Sequence, residues 1–388
     1  AIVLLVGIMG SLAGSATFVI IPPLGAMIFR GMDRHPIAGL ATGFAGVAAG
    51  LSANLMVTQT DILLSGITES AAQIYDPNYT VNPTVNWYFM AASTIMLTIV
   101  GTFVVEKIIE PRLGEYKREE GEPGAIETED TTLADVTAEE KSGMKWAGIA
   151  VLVYLAVLAI TIVPTNGILR GEDGAIIDSP FFSSMVPILT IFFLVAGLAY
   201  GIKTKVIQKS ADVVQLWGKS MAGLAGFVVL CFFAGQFVKA FAQSNLGLYL
   251  SVKGSEFLSG SSLTGAPLIV GFICITMLIN FMIGSASAKW ALMAPIFVPM
   301  FMKLGFTPAF TQAAFRIADS VTNAVSPLEP FMPFIIMTAL KYDRKSGLGS
   351  IIATMLPLVI SFAISWIILI LIWYKLNLPL GPGSSILM

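Results

Sequence analysis

A chain of 388 residues that is 56% hydrophobic and 12% charged cannot be a soluble globule, in which about 25% of residues are charged. Composition predicts an all-α polytopic membrane protein. With a formal net charge of −2, a single histidine (His35, in the charged turn 30–36) and no Gly-x-x-x-x-Gly-Lys-Ser/Thr run, the chain lacks the material for a His-based metal site, a Ser-His-Asp triad or ATP hydrolysis.

In chain order, residues 1–67 start in an apolar run and read as a first hairpin followed by a broken helix. Two or so further spans are expected to precede them in the whole protein, by symmetry with the second half. Residues 68–86 read as an external segment, and 87–110 as a transmembrane helix. Residues 111–145 form an acidic cytoplasmic loop: ten carboxylates against five basic residues there leave the rest of the chain at +3, a composition that favours a solvated segment. Scaffold transmembrane helices fill 146–243, with apolar runs at 146–163, 181–202 and 221–241, each near the roughly 20 residues a span requires. A second hairpin and broken helix occupy 244–340, a short cytoplasmic loop 341–347, and the last transmembrane helix 348–375. Lys203, Lys205, Lys209 and Lys219 in one loop, and Lys341, Arg344 and Lys345 in another, place both loops on the cytoplasmic side. Glu172, Asp173 and Asp178 then fall outside. Cys231 and Cys274 lie in apolar runs and read as packed thiols.

A weak repeat underlies this division. Residues 13–29 (AGSATFVIIPPLGAMIF) and 283–302 (IGSASAKWALMAPIFVPMFM) both open on Gly-Ser-Ala and are punctuated by proline. Each is followed by a Pro-containing turn and then by an asparagine: Gly14 to Asn54 is 40 residues, Gly284 to Asn323 is 39. Inverted-repeat secondary transporters have this plan, with helices broken near the membrane midplane, and Gly, Ser and Pro are the residues that allow such breaks.

The residues able to carry chemistry cluster in these two units. Arg316, Asp319 and Asn323 follow one another at i, i+3 and i+7, setting a cation, an anion and an amide on one helical face. Charges in hydrocarbon are costly and mark function by default, although a structural Arg316–Asp319 pair cementing two helices is the alternative. Pro327 and Pro330 should loosen the helix just past Asn323, and Glu329 reads as lying at the membrane surface or in an aqueous cavity. Ser285, Ser287 and Trp290 stand in a run of small residues at a hairpin tip. Trp290 either stacks on a flat substrate ring or serves in ordinary packing or as an interfacial anchor. Asn280 is buried in an apolar stretch and needs partners. In the first unit Asp61 is the proton-coupling candidate, or else a helix cap after the break. Asn54 and Thr58, together with Asn323, supply hard oxygen donors for a candidate Na⁺ site.

The motifs GSASAKWALMAPIFVPM and AAFRIADSVTN, with SANLMVTQTDILLSGITESAAQI and the closing Gly381-Pro382-Gly383, resemble the AbgT family of p-aminobenzoyl-glutamate transporters and sulfonamide antimetabolite exporters, essentially from end to end. The resemblance implies a homodimer in the bacterial inner membrane. Each protomer would have nine transmembrane helices and two re-entrant helical hairpins around a cavity open to the cytoplasm. It also implies functional roles for Asp61, Asn280, Ser287, Trp290, Pro308, Arg316, Asp319 and Pro327. The tip Gly10-Ser11-Leu12-Ala13-Gly14 departs from the Ser-Asn-Thr type of the family.

These features read as an ion-gradient-driven secondary transporter that exports sulfonamide antimetabolites and carries p-aminobenzoyl-glutamate-like folate metabolites. Its partners are a small aromatic anionic substrate and membrane lipid, with no nucleic acid and no cofactor beyond Na⁺ or H⁺ as coupling ion. A sodium-coupled importer is the alternative. An intramembrane aspartyl protease using Asp61 and Asp319 is the rival from another class, and a channel the third reading.

Overall fold

A computed structural model describes residues 1–13, 16–116, 137–164, 166–171, 179–219 and 265–388, with isolated positions between 221 and 256. Most of the expected span 221–241, the start of the second half at 244–264, the centre of the acidic loop, Gly14, Cys231, Glu172, Asp173 and Asp178 lie outside the described residues. The chain forms two units, one made of residues 1–125 with 230–388 and the other of 126–229.

In the first unit α1 (Ile2–Met9) and α2 (Ala16–Gly31) are joined through a 3-10 turn at Gly10–Ala13. Next comes α3 (Pro36–Phe44), extended by a π-helical turn at Ala45–Ala49. Pro36 fits its first turn, where a backbone N–H has no helical partner anyway, and His35 Nδ1 accepts the Ile37 amide at 3.2 Å. The backbone then unwinds over 50–58 before α4 (Gln59–Ala72). So α4 takes in the first residues of the segment expected at 68–86. A first full-length span, α5 (Trp87–Leu113), is 27 residues long.

The second unit holds α6 (Ala138–Ile162) and α7 (Met185–Lys203). α6 starts at Ala138 rather than 146 because Thr137 and Glu140 cap it reciprocally: the Thr137 amide donates to Glu140 at 2.8 Å and the Glu140 amide to Thr137 Oγ1 at 3.2 Å. This exchange satisfies N–H groups that no helical carbonyl reaches. Tyr154 ties the pair by donating to the Ile188 carbonyl at 2.8 Å.

Back in the first unit, α8 (Ala266–Asn280) and α9 (Ala286–Lys303) flank a turn at 281–285, and α10 (Pro308–Asn323) follows. Thr307 caps α10 and Pro308 is its first residue. The chain unwinds over 324–331, re-forms α11 (Met332–Leu340), and ends in α12 (Leu348–Leu376), whose Trp366 donates to Ser93 of α5 at 2.7 Å. Among the described residues α5, α6 and α12 are long and apolar enough to cross a membrane. Cys274 is exposed on α8 rather than packed.

Two stretches therefore share one order of elements: two helices joined by a short turn, a third helix, an unwound segment, and a fourth helix. Residues 2–72 and 266–340 both follow it. Glycine sets how closely the first group packs. A Cβ on Gly39 would stand 2.2 Å from the Gly25 carbonyl oxygen, and one on Gly25 2.4 Å from that of Gly39, so α2 and α3 meet backbone to backbone as small residues permit in membranes. Gly39→Leu is expected to prevent this packing and to abolish recovery of folded protein. Gly31→Ala, whose Cβ meets nothing within 4 Å, serves as control, with detergent size-exclusion profiles and melting curves as the measurement. A normal Gly39→Leu melt would show that α2 and α3 do not need this approach.

Candidate functional site

Every residue of α10 is buried, although the helix carries Thr311, Gln312, Arg316, Asp319, Ser320, Thr322 and Asn323. An apolar helix buried on all sides needs only packing; this one needs a polar partner for each such group. The partners come from the first unwound segment, from α4 and from the α8–α9 pair.

Arg316 and Asp319 stand one turn apart, yet each finds its partner elsewhere. Arg316 Nη1 pairs with Asp61 Oδ1, and its Nη2 donates to the Ser52 carbonyl at 3.0 Å. Asp319 pairs instead with Lys289 of α9, Nζ to Oδ1 at 2.6 Å. The site is thus two cross-element ion pairs, and the i, i+3 spacing marks where they adjoin. All four side chains are shut off from solvent, with Lys289 at 0%, Arg316 at 1%, Asp319 at 2% and Asp61 at 7% exposure. Lys289 was missed by the reading of the sequence, although a lone lysine in an apolar run is the same signal that singled out Arg316.

Asp61 is a helix cap, one of the roles considered for it, and also the partner of Arg316. Its Oδ2 accepts from the Thr58 amide and hydroxyl, each at 2.6 Å, so it caps α4 while Oδ1 holds Arg316. A carboxylate in the first turn is also favoured by the helix dipole. The Ser52 amide donates to Ser320 Oγ at 3.0 Å, fastening the first unwound segment to α10.

Asn280 organises the other side. Its Nδ2 lies 2.8 Å from the Asp319 carbonyl, 2.6 Å from Thr322 Oγ1 and 2.9 Å from Asn323 Oδ1, and its Oδ1 accepts from Lys289. The ammonium, which only donates, dictates which end of the amide faces it. Asn280 thereby serves the last turn of α10, where carbonyls run out of helical partners.

Trp290 is fully buried; its ring packs on Phe315 with centroids 4.3 Å apart, and its Nε1 donates to Thr68 at 2.8 Å. One face of the indole expected to stack on substrate is therefore covered in this conformation. Ser285 and Ser287 sit apart from the buried pairs: they bond each other at 3.3 Å at the exposed turn, where Ser285 caps α9. Pro308 lies two turns before Arg316 and acts by starting α10. Pro327 is exposed in the unwound segment, whereas Glu329 is buried there at 7% rather than at a surface. The oxygens expected to gather around Na⁺ are engaged separately: Thr58 with Asp61, Asn54 with Ser11 and the Met56 amide, and Asn323 with Asn280. Asp61 and Asp319 each face their own cation, whereas an aspartyl protease needs two carboxylates sharing one proton.

Comparison with known proteins agrees with this architecture. The p-aminobenzoyl-glutamate transport protein of Escherichia coli K12 is 41% identical over 382 residues, covering 98% of this chain and 73% of that protein. The crystal structure of the Alcanivorax borkumensis YdaH transporter superposes with a TM-score of 0.62 at 38% identity, covering 98% of this chain and 78% of that one. Neisseria gonorrhoeae MtrF, described as illuminating a class of antimetabolite efflux pumps, superposes with a TM-score of 0.60 at 44% identity, covering 99% and 76%. A family model, the AbgT putative transporter family, matches residues 1–388. With its apolar spans and these relatives, the chain is a multi-pass membrane protein belonging to the AbgT family.

Proposed function

We propose that this protein is a secondary transporter, driven by an ion gradient, for flat aromatic carboxylates such as the p-aminobenzoyl-glutamate of its E. coli relative, and that it exports sulfonamide antimetabolites through the same site. The observation that carries this reading is the pair of buried ion pairs, Asp61–Arg316 and Asp319–Lys289, beside two unwound backbone segments. Burying four charges is seldom a route to stability, since desolvation offsets most of the Coulomb gain. In membrane transporters such charges line solute and ion pathways, and broken helices supply polar backbone at the same depth.

The inverted repeat, the re-entrant hairpins, the homodimer and the inner-membrane location belong to the same reading. H⁺ is favoured as coupling ion, because carboxylates hold both cations while the candidate Na⁺ oxygens are engaged with other partners. The site is closed on all sides, so alternation would open the break at 50–58 and the break at 324–331 in turn. In proteoliposomes, labelled p-aminobenzoyl-glutamate is expected to accumulate when a pH gradient is imposed and not with a Na⁺ gradient alone. Flux indifferent to every gradient would instead indicate a channel.

A further inference from the structure

Building on that transport reading, the geometry points to Lys289 as a specificity-determining residue: it anchors the second carboxylate of a dicarboxylate substrate, with Asp319 occupying that place in the closed state. Arg316 anchors the first.

Lys289 is arranged to change partners. Its ammonium is ion-paired with Asp319 Oδ1 at 2.6 Å and donates to Asn280 Oδ1 and to the Ile283 carbonyl, the latter at 3.3 Å. The amide and the carbonyl are neutral acceptors that stay with the ammonium when its anion leaves, so only Asp319 needs to be exchanged for a substrate carboxylate. Among the described residues Asp319 has no comparable second donor, in contrast with Asp61, which keeps both Thr58 bonds. A carboxylate released from Lys289 in this dry surrounding therefore needs another partner. The charged groups facing it are Lys289, Arg316 with Asp61, and Glu329, whose carboxyl interacts electrostatically with both Lys289 and Asp319.

Arg316 differs. Its Nε and the Ser52 hydroxyl are buried without a hydrogen-bond partner among the described residues, although Arg316 Nη2 is bonded to the Ser52 carbonyl. The guanidinium Nε–H and the hydroxyl of the residue bonded to Nη2 are both unspent donors, a pair that suits one charged acceptor, and a carboxylate bound to them would add without displacing Asp61. The two anchors are set about one helical turn apart through Asp319. Phe315 lies between them in sequence, packed on Trp290 and 5.9 Å from Lys289 Nζ. An aromatic ring beside Lys289 and one residue from Arg316 fits an aryl amide carrying two acids separated by a few methylenes.

The test compares two substrates that differ by one carboxylate, p-aminobenzoyl-glutamate and p-aminobenzoyl-glycine, taken up by the full chain in proteoliposomes. Wild-type protein is expected to favour the glutamate conjugate by about tenfold or more in kcat/KM, the scale of one buried charge contact. Lys289→Gln should erase that preference by raising KM for the glutamate conjugate alone, and Lys289→Arg should restore most of it. Should Lys289→Gln fail to fold with Asp319 left unpaired, the charge-neutral Lys289→Gln/Asp319→Asn protein, read by ligand-induced shifts in melting temperature, decides in its place: equal shifts from both conjugates support the assignment. A preference that survives loss of the lysine, or an equal loss for both substrates, overturns it while leaving the transport reading intact. A wild-type protein that transports neither conjugate overturns the transport reading itself.

Discussion

Asp61→Ala is expected to abolish transport and to destabilise the protein by about 3–5 kcal/mol, the usual cost of removing one member of a buried ion pair. Arg316→Ala is expected to abolish transport with a smaller loss of stability. The order follows from what each partner retains. Without Asp61, the buried guanidinium keeps only the Ser52 carbonyl at 3.0 Å. Without Arg316, Asp61 still accepts two bonds from Thr58 at the start of α4. The double variant Asp61→Asn/Arg316→Gln removes both charges and is expected to recover most of the stability and none of the transport. Melting curves in detergent and proteoliposome uptake measure the two effects separately. A double variant that transports normally would reduce this pair to structural cement.

Asn280→Leu is the second large effect. The change keeps the branching of the side chain but sets a methyl group against Lys289 in place of an acceptor and leaves the Asp319 carbonyl and Asn323 Oδ1 without their donor. Each buried polar group left unsatisfied costs roughly 1–3 kcal/mol, and several are lost together. Loss of uptake with a lowered melting point is expected. Asn280→Asp should fall between Leu and wild type, because an acid still accepts from Lys289 and can no longer donate to α10. If Asn280→Leu melts and transports like wild type, Asn280 does not organise the last turn of α10.

The contrast between Arg316 and Asp319 shows where sequence reasoning stopped. Their spacing placed two charges on one helix in hydrocarbon, and the cost of such charges marked the helix as functional. Spacing along a helix reports only neighbours one turn away, whereas Arg316 closes on Asp61 across 255 residues. Lys289 was within reach of the same cost argument but was overlooked beside the more conspicuous Trp290. The oxygens expected at a Na⁺ site are a related case: Asn54, Thr58 and Asn323 have the right atoms, and only packing reveals which partners each has in this conformation.

Composition and hydrophobic run length, by themselves, determined that this is a helical membrane protein, because the bilayer admits few other solutions for an apolar chain. Pro327 and Pro330 likewise marked the loosening of the helix past Asn323, where the chain unwinds over 324–331, since this is a local backbone property. The tertiary structure alone decided which charges pair, which face of Trp290 is covered, and that Glu329 is buried. Those outcomes depend on contacts between α4, α8, α9 and α10, whose partners lie up to hundreds of residues apart, and local chemistry carries no record of so distant a neighbour.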